Sequence, residues 1–139
     1  MQKSIFLLLI GCLSVFYSLA QRPFDCGAAY LTVGDGSTTR IYKLEVSSTF
    51  VLPSLFVTVQ GVKLNGFGFR RQDRFMYAHK DTKNADNTVS IYRIDADGKA
   101  TELAKLPFDA SYNYFAGDVS PDGRYYTILG NGSLLQDFM

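Results

Sequence analysis

The chain has 139 residues, enough for one ordinary domain, and carries 14 Lys and Arg against 13 Asp and Glu. That near-neutral balance excludes the basic footprint of a nucleic-acid binder or a polybasic membrane patch. Aromatic residues make up 14%, with no Trp, and the apolar content is sufficient for a globular core.

Residues 1–20 read as a helical, cleavable export signal. Lys3 supplies the positive start, and Ile5–Ile10 with Leu13–Phe16 supply the apolar stretch. Ser18-Leu19-Ala20 places small residues at −3 and −1, so cleavage is expected before Gln21. A membrane-anchoring helix is the rival reading, but the run falls short of the ~20 apolar residues that a span needs. Leu9-Ile10-Gly11-Cys12 has the form of a lipobox with Cys12 as lipid acceptor; against it, the residues after Cys12 stay apolar. The expected destination is the cell exterior, the cell surface or the periplasm. Cleavage leaves Cys26 as the one cysteine, which excludes an internal disulfide. Its expected role is that of a small buried hydrophobe in the first strand rather than a reactive thiol.

Beyond the leader, Arg22–Asp25 is a short polar lead-in and Cys26–Val33 the first strand, closed by Gly34-Asp35-Gly36-Ser37. Thr39–Val46 alternates as a strand does, with Ile41, Lys43 and Glu45 on one face. A turn through Ser47–Ser54, with Pro53, precedes the β-branched run Leu55–Gln60. Gly66–Arg70 alternates glycine with phenylalanine, a sign of close backbone approach. Gln72-Asp73-Arg74 turns the chain into Phe75–His79, and Asp81–Asn87 is a polar loop. Val89–Asp95 is a strand and Asp95–Gly98 a turn. Ala100–Leu106 is read as a strand, although in isolation its composition also suits a helix. Tyr112–Val119 and Arg124–Leu129 are strands joined through Ser120-Pro121-Asp122-Gly123, and Asn131-Gly132 is a hairpin signal.

A repeat emerges from this order. Ile41-Tyr42-Lys43-Leu44-Glu45 matches Ile91-Tyr92-Arg93-Ile94-Asp95, class by class, at a spacing of 50. Asp73–Tyr77 resembles Asp122–Tyr126 at a spacing of 49, and Gly66–Phe69 stands against Phe115–Asp118. A period of about 50 residues with four short strands is the signature of a β-propeller blade; two unrelated hairpins in a sandwich are the alternative. The expected fold is all-β, a partial β-propeller of about two blades of four short antiparallel strands. The expected domains are a signal peptide over 1–20 and a propeller-like domain over 21–139, with repeats at about 38–87 and 88–137. A propeller closes with about four to eight blades, so a truncated domain is expected, one whose open blade face invites self-association or aggregation.

Phe24-Asp25-Cys26, Ile41-Tyr42, Leu64-Asn65-Gly66-Phe67-Gly68, Ile91–Gly98 and Ala116–Tyr126 together resemble an uncharacterised bacterial domain family. That family is a propeller-like module near the N-terminus of secreted and surface proteins, often ahead of adhesin-type repeats. The resemblance covers nearly all of the mature chain, but only the first half of such a domain, and departs from the pattern at Arg70-Arg71-Gln72. It implies no established activity and carries over no functional residues.

Candidate chemistry is sparse. Asp118 is the acid of most interest, either lining a channel mouth or capping neighbouring backbone amides; the cap is preferred. Arg70, Arg71 and Arg74 cluster at one turn and are candidates to grip an anionic sugar or phosphate; a surface turn with neighbouring Asp73 is the preferred reading. Asp95-Ala96-Asp97-Gly98 echoes the opening of a calcium loop without its later ligands and reads as a turn. Asp81, Asn84, Asp86 and Asn87 form an oxygen-rich, solvated connection. His79 is the lone histidine, with no nucleophile-elbow context and no zinc partners. Asn131-Gly132-Ser133 is a glycosylation sequon that reads first as a turn. No catalytic residue, metal or cofactor is expected. The expected role is a non-enzymatic binding or structural module for an unknown protein or glycan; a fragment of a carbohydrate-processing propeller enzyme is the alternative.

Overall fold

The computed structural model describes residues 21–108 and 114–130, together with the backbone of 133–138. The export signal expected over 1–20 and the turn expected at Asn131-Gly132 lie outside the described residues.

Among the described residues, ten strands form three antiparallel sheets. The first holds β1 (Ala29–Asp35), β2 (Thr38–Val46) and β3 (Val51–Val59), in that order. The second holds β4 (Leu64–Arg70), β5 (Phe75–Lys80), β6 (Thr88–Ile94) and β7 (Ala100–Pro107). The third holds β8 (Tyr114–Val119), β9 (Tyr126–Gly130) and β10 (Ser133–Phe138). The all-β expectation therefore holds, as three sheets of three, four and three strands rather than two of four. The sheets break at 59/64 and 107/114, so a repeat counted from 38 or 88 starts inside a sheet.

The second sheet is the middle of the stack. One apolar cluster joins Phe24, Ile41 and Val59 to Met76, Ala78 and Ile94, between the first and second sheets. Another joins Tyr77, Val89 and Ile91 to Val119, Tyr126 and Ile128, between the second and third. Strand β5 is buried on both faces because its residues alternate between the two clusters: Met76 and Ala78 to one, Tyr77 to the other.

The repeat survives as backbone geometry. Between β2 and β3 the register shifts between Ile41 and Tyr42, and between β6 and β7 it shifts between Ile91 and Tyr92. A bulge at the same point of the matched segments makes β2 the counterpart of β6. It follows that β1 corresponds to β5 and β3 to β7. The 49-residue spacing holds only inside the turns: Arg74 and Gly123 both have positive φ, at 59° and 73°. Between β2 and β6 the equivalent spacing is 50. Tyr77 and Tyr126 lie in one cluster but come from facing sheets, so they point oppositely with respect to their own strands. Because a one-residue slip inverts every side chain, Met76 is the counterpart of Tyr126.

Several local expectations are corrected. Cys26 is exposed in a turn ahead of β1, not buried in a strand, because Gly27 with φ 88° turns the chain there. The lead-in is not merely polar: Phe24 is fully buried, packed edge-on to Tyr30 and beside Phe56. β3 starts at Val51 and includes Pro53, which an edge strand tolerates because one row of its amides has no ladder partner. The turn there narrows to Ser47–Phe50, where the Ser47 hydroxyl accepts from the Phe50 amide at 3.1 Å. Ala100–Leu106 is strand, extended by β-sheet pairing against β6 through Pro107. β9 begins at Tyr126, two residues later than the sequence suggests.

Candidate functional site

A groove of about 820 Å³ runs along β1, β4 and β8. Tyr30, Leu31 and Thr32 line it from β1, Phe67 and Phe69 from β4, and Phe115 from β8. Cys26 and Arg71 also border it, both exposed.

The groove exists because β4 and β8 lie backbone against backbone. A Cβ on Gly68 would stand 2.5 Å from the Val119 nitrogen and 2.7 Å from the Asp118 carbonyl carbon. A Cβ on Gly117 would stand 2.5 Å from both the Gly66 oxygen and the Tyr126 hydroxyl. The Tyr126 hydroxyl donates to the Gly66 carbonyl, fastening the third sheet to the second. Burial pushes the Tyr126 pKa far above the ordinary tyrosine value, so this donor keeps its proton.

The charged candidates are taken up by turns. Arg70 donates from Nε to the Gly123 carbonyl at 2.8 Å and from Nη1 to Asp73 Oδ2 at 2.9 Å. Tyr77 donates to the same Asp73 oxygen at 2.7 Å, and Asp73 Oδ1 accepts from the Phe75 amide at 3.1 Å. The bond to Asp73 raises the Arg70 pKa, while burial and then the Asp73 bond raise that of Tyr77. Arg70 is thus a tie between two sheets, whereas Arg71 stands exposed at the groove. Arg74 contributes its backbone: its carbonyl accepts from the Phe24 amide at 2.8 Å. The three arginines are not gathered into one cationic grip.

Asp118 is exposed, and its Oδ1 accepts from the adjacent Val119 amide at 2.7 Å, in the manner of a backbone cap. Asp95 is buried, and its Oδ1 accepts from the amides of Asp97 and Lys99 at 3.0 and 2.9 Å, which makes it a turn clasp. In the 81–87 loop, Asn84 donates to Thr88 and Ser90 and accepts from Lys80. Among the described residues, no group of three or more His, Cys, Asp or Glu is placed to hold a metal.

His79 is buried, with Nδ1 donating to the Lys80 carbonyl at 3.0 Å and Nε2 left without a partner among the described residues. Desolvation lowers its pKa, so the ring is neutral. A second orphan lies on the groove wall: the Tyr30 hydroxyl is buried without a hydrogen-bond partner among the described residues. Tyr30 carries no motif in the sequence, and Phe24 enters there only through the Phe24-Asp25-Cys26 segment of the resemblance; their ring contact is seen in the structure alone. The groove lining mixes the aromatic side chains of Tyr30, Phe67, Phe69 and Phe115 with the polar Asp25, Thr32, Asn65 and Arg71.

Residues 30–135 match the family described as Repeat of unknown function (DUF6923). The chain belongs to that family. No curated protein matches this DUF6923 chain. It is similar to a chain in a solved structure titled "Crystal Structure of Mitotic Checkpoint Complex", with 16% identity and a TM-score of 0.49. The similarity covers 85% of the DUF6923 chain and 34% of the other.

Proposed function

We propose that the chain is part of an exported, non-enzymatic β-propeller module with a binding or structural role outside the cytoplasm. The observation that carries this reading is the recurrence of one sheet design. The sheets stack face to face, with the same bulge at Ile41 and Ile91 and with β4 and β8 side by side at one end. Stacked copies of one small sheet bury their faces only against neighbours, which is the physics of a propeller. Apolar residues on the outer sheets agree: Leu31 and Leu55 on the first and Phe115 and Leu129 on the third are exposed. The commitment of Arg70, Asp73, Asp95 and Asp118 to turns and backbone favours a scaffold over an enzyme.

The test is expression of the whole chain in a host with an active secretory pathway. Exported protein beginning at Gln21 is expected. It should bind saturably on protein or glycan arrays and release no reducing ends from polysaccharide. Retention in the cytoplasm with residues 1–20 intact overturns the export reading. Polysaccharide cleavage that vanishes in Asp118→Asn overturns the non-enzymatic one.

A further inference from the structure

Among the described residues, the first sheet lacks a strand that the second sheet has. The matched bulges pair β2 with β6, and hence β1 with β5. In the second sheet β5 is flanked by β4; in the first sheet nothing among the described residues flanks β1 on that side. The packing between sheets agrees. β8 lies closely along β4 and touches β5 lightly, while β1 touches β4 just as lightly, as a second strand rather than an edge-lining one. The segment that would have filled the position turns away. The Arg22 carbonyl accepts from the Ala96 amide at 2.7 Å, and the Phe24 amide donates to Arg74, so residues 22–24 run along the second sheet.

What remains in that position is the groove. It lies between the open edge of β1 and the face of β4 that carries Phe67 and Phe69. The Tyr30 hydroxyl is buried at this wall without a partner among the described residues, whereas its counterpart Tyr77 donates to Asp73. An open edge presents alternate backbone amides and carbonyls ready to pair with an added strand.

Resting on the propeller reading, we propose that β1 is a receptor edge for one extended strand. The donor is a strand of the β4 type, supplied by a further copy of the repeat. It pairs antiparallel with β1, as β4 pairs with β5, and lies along β4 as β4 lies along β8. The donor therefore needs glycine where its backbone meets β4, in the way that Gly66 and Gly68 let β4 meet β8.

The test uses the whole chain and a synthetic peptide with the sequence of residues 62–71, followed by hydrogen exchange. Two control peptides replace the counterparts of Gly66 and Gly68 by Val, or N-methylate alternate amides. Without peptide, alternate amides of residues 29–35 should exchange quickly. Saturating peptide should slow them at least tenfold, and both controls should bind at least tenfold more weakly. Equal binding of the Val peptide, or protection confined to Phe115 and Leu129 on the third sheet, overturns the receptor edge while leaving the propeller reading in place. The same holds if the β1 amides exchange quickly with and without peptide. Slow exchange of the whole β1 edge before any peptide is added means that the first sheet is already complete, and the propeller reading falls with it.

Discussion

The Tyr126 hydroxyl donates to the Gly66 carbonyl across two sheets, and Gly117 has no side chain because one would collide with that hydroxyl. Tyr126→Phe removes the donor and leaves a buried carbonyl unpaired, at a cost of about 1–3 kcal/mol. Urea unfolding measures it; an unchanged midpoint would show that the bond contributes nothing. Because burial keeps Tyr126 protonated, the cost should be the same at pH 7 and pH 9.

Gly68→Ala tests the backbone contact between β4 and β8. The new methyl meets backbone atoms of Asp118 and Val119, which cannot swing aside as a flexible side chain would. Overpacking of this kind costs roughly 1–3 kcal/mol and more where nothing can yield. At Gly61, where a Cβ meets nothing within 4 Å, the same substitution strains φ 78° alone. Thermal melts should rank Gly68→Ala well below Gly61→Ala, and the reverse order would contradict the close approach.

Arginines 70 and 71 are neighbours in sequence with different fates. Arg70→Ala removes a partly exposed tie to Asp73 and the Gly123 carbonyl, at about 1 kcal/mol after allowance for solvent screening. Arg70→Lys should not restore it, since one ammonium cannot serve both acceptors in fork geometry. Arg71→Ala should leave the denaturation midpoint within about 0.5 kcal/mol. Equal losses at both positions would refute the distinction.

His79 makes stability depend on pH. Its folded pKa lies below the ordinary value of 6.5, through burial first. The unfolded chain therefore takes up a proton at a pH where the folded chain does not. The neutral ring's contribution is complete above about pH 6.5 and drains as pH falls below it. Urea midpoints for the native chain should fall between pH 7.5 and pH 5.5 more steeply than those of His79→Gln. Parallel curves would mean that the ring titrates normally.

Phe24→Ala tests whether the lead-in belongs to the core. Truncation of a fully buried phenylalanine costs about 3–5 kcal/mol. Calorimetry or chemical denaturation reads this directly, and a loss below about 1 kcal/mol would return residues 21–25 to the status of a tail.

The strands and the repeat were legible in the sequence because both depend on short-range pattern. Alternation in Thr39–Val46, turn chemistry at Asp122-Gly123 and the paired Ile-Tyr segments need no knowledge of neighbours. The register of the repeat was not legible. Asp73 and Asp122 are similar in sequence at one spacing, while the strands around them superpose at another, and only the face each side chain occupies distinguishes the two. The side-chain partners were legible only in part. The backbone cap at Asp118 and the turn at Asp95 follow from local chemistry, whereas the reach of Arg70 to the Gly123 carbonyl spans 53 positions and is found only once the sheets are placed.

Composition and local periodicity determined that this chain is all-β, built from a repeated unit, with glycines marking a tight contact. The tertiary structure decided which partners those glycines admit, that Phe24 is core and Cys26 is surface, and that one edge of β1 is unpaired among the described residues. Side-chain alternation is a property of neighbouring residues along the chain. Which sheet a strand borders, and which acceptor a buried hydroxyl reaches, depends on residues scores of positions away.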